Sequence, residues 1–76
     1  MKYIKFKNMG LVCFQVHISH AEMARRIKDT PVSAGFAYAD ESFNDGKPFC
    51  SGKSASLKIK SEEDEDSFIL SRALSH

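Results

Sequence analysis

Seventy-six residues, 42% of them apolar and 28% charged, make one ordinary globular domain the expectation for 1–76, with a core covering only about 60% of the surface its unfolded chain exposes. A net charge of +1 excludes a strong overall field toward nucleic acid or an anionic membrane. No apolar run approaches the ~18 residues of a membrane span, no N-terminal stretch reads as a signal peptide, and two cysteines are too few for a disulfide framework, so a cytoplasmic protein with reduced thiols is expected.

The first segment, KYIKFK, alternates. Ile4 and Phe6 face one way and Tyr3, Lys5 and Lys7 the other, which predicts a half-buried strand with its lysines in solvent. Asn8-Met9-Gly10 is a tight connection in which Gly10 can take positive φ. LVCFQVHI follows as a second strand, with Val12, Phe14, Val16 and Ile18 on its apolar face. Together the two read as a hairpin.

Ser19 and Glu22 then form an S-x-x-E capping box, and Ile18 and Met23 occupy the positions of a hydrophobic staple. A helix is expected here, with Met23, Ala24 and Ile27 inward and His20 in solvent, stopped by Pro31. PVSAGFAYAD alternates again, Val32, Ala34, Phe36 and Tyr38 against the small residues Ser33, Gly35 and Ala37. Asn44-Asp45-Gly46 is a turn signal, and FCSGKSASLKIK predicts a further strand with Ala55, Leu57 and Ile59 inward and Ser54, Ser56, Lys58 and Lys60 outward. Ser61 opens the last helix, whose first turns carry Glu62, Glu63, Asp64, Glu65 and Asp66 and whose buried face is drawn from Phe68, Ile69, Leu70, Ala73 and Leu74. The order β-β-α-β-β-α predicts an α+β domain, an antiparallel four-stranded sheet with two helices on one face.

Gly52-Lys53-Ser54 matches the end of a phosphate-binding loop, but that loop needs glycine five positions before Gly52, where Lys47 stands, and a helix afterwards, where the chain alternates as a strand. Gly52 instead marks a bulge or a close backbone approach. Cys13, His17, His20 and Cys50 are the right residue types for zinc at the wrong spacing, with no C-x-x-C. Neither cysteine opens a helix, the setting that would activate a thiol. No metal, cofactor or catalytic set is expected.

Five acids in succession exceed what a helix start needs, which makes Glu62, Glu63, Glu65 and Asp66 candidates for contact with a basic partner. Phe43 lies in a polar loop and is either tucked into the core or an exposed anchor, the second partner-facing candidate. Lys2, Lys5 and Lys7, with Tyr3 between them and Arg25 and Arg26 nearby, would be the surface of a nucleic-acid-binding protein.

The runs SHAEMARRI, PVSAGFAYAD and CSGKSASLKIKSEEDEDSFILSRAL resemble those of small accessory proteins encoded by temperate phages and prophages of enteric bacteria. The resemblance spans nearly the whole chain and rests on structural motifs. It implies a protein that binds one host protein, as an inhibitor of host defence does. The expectation is therefore a small non-enzymatic protein-binding module whose partner is a host protein. A nucleic-acid-binding protein using the N-terminal hairpin and Arg25/Arg26 is the alternative, and a very small hydrolase or nuclease using His17 or His20 is the third reading.

Overall fold

The computed structural model describes residues 1–39 and 46–74. Eight elements follow one another: β1 (Lys2–Phe6), β2 (Gly10–Phe14), α1 (His20–Arg26), β3 (Pro31–Tyr38), β4 (Phe49–Ser51), β5 (Lys53–Ser54), β6 (Ile59–Lys60) and α2 (Glu63–Leu74). The first four strands form one antiparallel sheet in the order β2-β1-β3-β4. The α+β class and the four-stranded sheet agree with the sequence; the element order, β-β-α-β-β-β-β-α, does not. The single strand expected over 49–60 breaks at Gly52, whose φ of +86° turns the chain out of the ladder. Beyond the break lies a separate short hairpin, β5-β6, which pairs Lys53 with Lys60 and Ser54 with Ile59.

Both faces of the sheet are covered, which corrects the expectation that the two helices share one. Ile4, Phe6, Phe14 and Ala34 form a core with Met23, Ala24 and Ile27 of the α1 segment and with Leu57 and Ile59 of the small hairpin. The opposite face carries Tyr3, Ala37 and Cys50, packed on Leu70 of α2. β1 lies at the centre of the sheet, so its alternation does not separate core from solvent. Tyr3 and Lys5, assigned to solvent by the pattern, are buried. The small face of β3 is buried for the same reason: Ser33, Gly35 and Ala37 are inside, while on the other face Val32 and Tyr38 near the strand's ends are exposed.

The β1–β2 connection turns through Gly10 at φ +89°, as expected. Asp29 fixes it from outside, accepting from the amides of Asn8 (3.1 Å) and Met9 (2.7 Å) and from the Asn8 side chain (3.0 Å). The same carboxylate accepts from the Thr30 amide at 2.7 Å. The helix itself ends at Arg26, before Pro31, because Ile27 takes extended dihedrals and caps it with its amide on the Met23 carbonyl. β2 also ends early, at Phe14; the Ile18 amide bonds back to the Gln15 carbonyl at 3.1 Å, and Val16 is left exposed.

Two serines begin α1. Ser19 accepts from the Glu22 amide at 3.0 Å, as the capping box predicts. Ser56, from the turn of the β5-β6 hairpin, accepts from the Ala21 amide at 3.1 Å. The hairpin turn is itself held by the Lys58 amide on the Ser54 carbonyl (2.9 Å) and the Leu57 amide on the Ser54 hydroxyl (3.1 Å). Ser54 is therefore buried and Ala55 exposed, the reverse of the alternation.

β3 and β4 approach closely at Gly35, where an added Cβ would lie 2.4 Å from the Ser51 carbonyl oxygen. Backbone on the far side cannot swing away as a side chain could. Gly35→Ala should cost about 2 kcal/mol by overpacking, read as a lower urea midpoint. A midpoint equal to that of the unmodified chain would show that the strands can part without loss.

Candidate functional site

The densest group of polar side chains lies between β1, β3 and the start of α2. Asp66 has no exposed surface. Its Oδ2 accepts from the Tyr3 hydroxyl (2.5 Å), the Ser33 hydroxyl (2.7 Å) and the Glu62 amide (3.1 Å). Its Oδ1 meets the Lys5 ammonium at 2.7 Å, and that ammonium also reaches Glu62 at 2.9 Å and Glu65 at 3.3 Å. Tyr3 donates to Asp66, so the short 2.5 Å contact between its oxygen and Ser61 is a bond donated by the serine hydroxyl. The Glu62 amide and the Asp66 carboxylate also satisfy an end of α2, because the Asp66 amide bonds the Glu62 carbonyl at 2.8 Å.

The protonation states follow from these contacts. Burial alone would raise the Asp66 carboxyl, but the Lys5 ammonium and the hydrogen bonds of Tyr3, Ser33 and the Glu62 amide outweigh it and hold the group below its usual range. Burial likewise works against the Lys5 ammonium, and its bonds to Asp66, Glu62 and Glu65 hold it above its ordinary value. The Tyr3 phenol is pushed up by burial and by Asp66, and so stays a donor. The Cys50 thiol is pushed up to about 12 by burial and by the Asp66 charge, which leaves no thiolate for nucleophilic chemistry. Tyr3, Lys5 and Asp66 are closed to solvent and bonded to one another, and they position a helix on a sheet.

His20 is the second buried polar group, not the solvated residue that its place at the helix start suggests. Its ring stands edge-on to Phe14 and Phe36, with centroids 5.5 and 6.0 Å away. Its Nε2 donates to the Gly35 carbonyl at 2.9 Å. Burial lowers its pKa, the Gly35 and Tyr3 carbonyls pull it back in part, and Lys2 adds to the lowering. His17 lies apart from it, exposed in the turn after β2. Cys13 is exposed on edge strand β2 and Cys50 buried on edge strand β4, both as free thiols. Among the described residues no three His, Cys, Asp or Glu side chains are grouped to hold a metal ion.

The acidic block divides. Asp66, expected at a contact surface, is wholly interior, because its carboxylate is the counter-charge of a lysine on the sheet. Glu62 and Glu65 remain at the surface but share Lys5. Glu63 is exposed, as is Asp64. Phe43 lies outside the described residues. Most cations of the N-terminal hairpin and α1 are engaged as well, Lys7 being exposed just after β1. Lys2 donates to the Ile18 carbonyl at 3.0 Å, and Arg25 and Arg26 both pair with Glu22.

Two adjoining surface grooves are lined by residues that the alternation pattern assigns to opposite sides of one strand. One, of about 750 Å³, lies along the β5-β6 hairpin and includes Val32, Lys53, Lys58, Ile59 and Lys60. The other, of about 570 Å³, includes Lys2, His20, Phe36 and Gly52 and shares Lys53 and Ala55 with the first. The signal that could have found them is Gly52, which breaks the strand and folds its lysines back on themselves. No family model, curated protein or solved structure matches the chain.

Asp66→Asn should cost about 3 kcal/mol, because Lys5 loses its buried counter-charge. Glu63→Gln and Asp64→Asn should each stay within about 0.5 kcal/mol. Equal urea midpoints for all three variants would mean that the buried pair contributes nothing.

Acid should destabilise the fold in two stages. The lowered His20 pKa means that the unfolded chain binds a proton first, so stability falls as pH drops below about 6.5. The depressed Asp66 pKa contributes stability that is present above about pH 3.9 and is lost as pH falls through the lower folded value. Replacing His20 with glutamine should remove the upper stage from a plot of denaturation midpoint against pH. A plot whose upper stage survives that change would assign it to another group.

Proposed function

We propose that the protein is a small non-enzymatic protein-binding module that docks on one partner protein, in the manner of a phage-encoded inhibitor or regulator of a host protein such as a defence factor. The observation that carries this reading is how the polar groups divide. Tyr3, Lys5, His20, Cys50 and Asp66 are buried; all but the Cys50 thiol have polar partners, and that thiol stays protonated, while the exposed His17 and Cys13 belong to no metal-holding group among the described residues. The charge left over lies outside, as Lys53, Lys58 and Lys60 on the small hairpin and as Glu63 and Asp64 at the start of α2. A rigid surface with segregated charge favours recognition, since complementary charge steers encounter and fixes register.

The nucleic-acid reading loses support at its named residues. Tyr3 is buried and cannot stack on a base, Lys5 is held by three carboxylates, and Arg25 and Arg26 face Glu22. The hydrolase reading loses His20 to the Gly35 carbonyl.

Affinity capture of the tagged chain from a bacterial lysate, with and without nuclease, tests the proposal. One protein should be recovered in stoichiometric amount and should survive nuclease treatment. Recovery of nucleic acid alone, eluting steeply with salt, would favour the alternative and defeat this reading.

A further inference from the structure

Lys53 and Lys60 are direct cross-strand partners in a ladder of only two residue pairs. Like charges in that position destabilise a sheet. Lys58, between them in sequence, has φ +58°, a conformation that side chains rarely adopt. All three line the same groove, and none makes an ion pair among the described residues. Folding alone gives no reason to place three ammonium groups together in a strained turn. The mount is nevertheless firm. Leu57 and Ile59 are packed in the core, Ser56 is bonded to the Ala21 amide, and the Ser61 amide closes on the Gly52 carbonyl at 2.9 Å. Between the lysines, the surface of the groove includes Val32, Ala55 and Ile59, and the carboxylate that lines it among the described residues, Glu62, is held by Lys5 at 2.9 Å.

We infer that this groove is the docking site for an acidic peptide segment of a protein partner, one that sets carboxylates against Lys53, Lys58 and Lys60 and an apolar side chain against Val32 and Ile59. The inference rests on the protein-binding reading above and gives it a surface and a ligand chemistry. Charge complementarity selects the acidic residues. The apolar floor selects a peptide over a nucleic-acid strand, because among the described residues the groove presents no aromatic side chain on which a base would stack. The charge repulsion is relieved when carboxylates sit between the ammonium groups.

Lysine replacement should therefore move stability and binding in opposite directions. Lys53→Gln and Lys60→Gln should each raise the urea midpoint at low salt by removing the repulsion. Lys58→Gly should hold or raise it, since glycine accepts positive φ freely. Each should weaken binding of a short synthetic peptide of alternating glutamate and leucine by about threefold to fivefold, the size of one exposed ion pair. In an amide and methyl NMR titration with that peptide, shifts should be confined to Val32 and the span 53–60. The proposal is overturned by shifts centred on α2, by no shifts, by unchanged affinity in the lysine variants, or by a single-stranded oligonucleotide displacing the peptide from the same residues. If the lysine variants still capture the lysate partner at full stoichiometry, the groove is not the contact surface, while the protein-binding reading stands. If the unmodified chain captures no protein, the reading itself fails.

Discussion

A carboxylate with no exposed surface joins the first strand to the last helix. Removing an ion from water costs several kcal/mol even after the protein relaxes around it, so a buried Asp66 is tolerable only with its partners complete. Lys5 supplies the opposite charge, and Tyr3, Ser33 and the Glu62 amide supply hydrogen bonds. This requirement decides which face of the sheet α2 covers, because Tyr3, Lys5 and Ser33 all point to that side. It also decides the rotation of α2 about its axis. Asp66 and Leu70, one helical turn apart, face the sheet, which leaves Phe68 outside. The Arg72 guanidinium lies 5.8 Å from the centre of the Phe68 ring and covers part of it.

With α2 on one face, the other needs its own cover. A helix of seven residues, α1, is too short to be stable by itself, and it is anchored at its start by Ser19 and Ser56. The small hairpin supplies the second serine and also Leu57 and Ile59, so the break at Gly52 is what completes this layer. Ser67 of α2 meanwhile accepts the Cys50 amide at 2.8 Å, giving edge strand β4 a partner from the helix. The polar contacts thus tie each layer to the sheet at positions far apart in the chain.

Local signals were legible where the physics is local. The Ser19 cap, the turn at Gly10, the two helices and the four-stranded sheet all follow from near neighbours in sequence. The failures have one cause, that period-two alternation assumes one wet face. Lys5 and Asp66 each read as solvent-facing charge, and each becomes a core residue only because the other is there, across the length of the chain. No window of the sequence contains both. The same holds for His20, which looks like a surface residue at a helix start until the Gly35 carbonyl and two phenylalanine rings from other elements enclose it. The hairpin lysines were visible as residues but not as a group, since a continuous strand would have put Lys53 on the side opposite Lys58 and Lys60.

The link between Tyr3 and Asp66 spans 63 positions in sequence. Contacts of such separation slow folding, because loop closure must precede any gain from them. A chain extended only as far as β6 therefore carries a lysine, a tyrosine and a serine on an open sheet face, with nothing to neutralise or cover them. Until α2 docks, β1 is held in the sheet by its neighbours β2 and β3, and Tyr3 and Lys5 lack the carboxylate that partners them, so the acidic start of α2 is the piece that closes this face of the sheet.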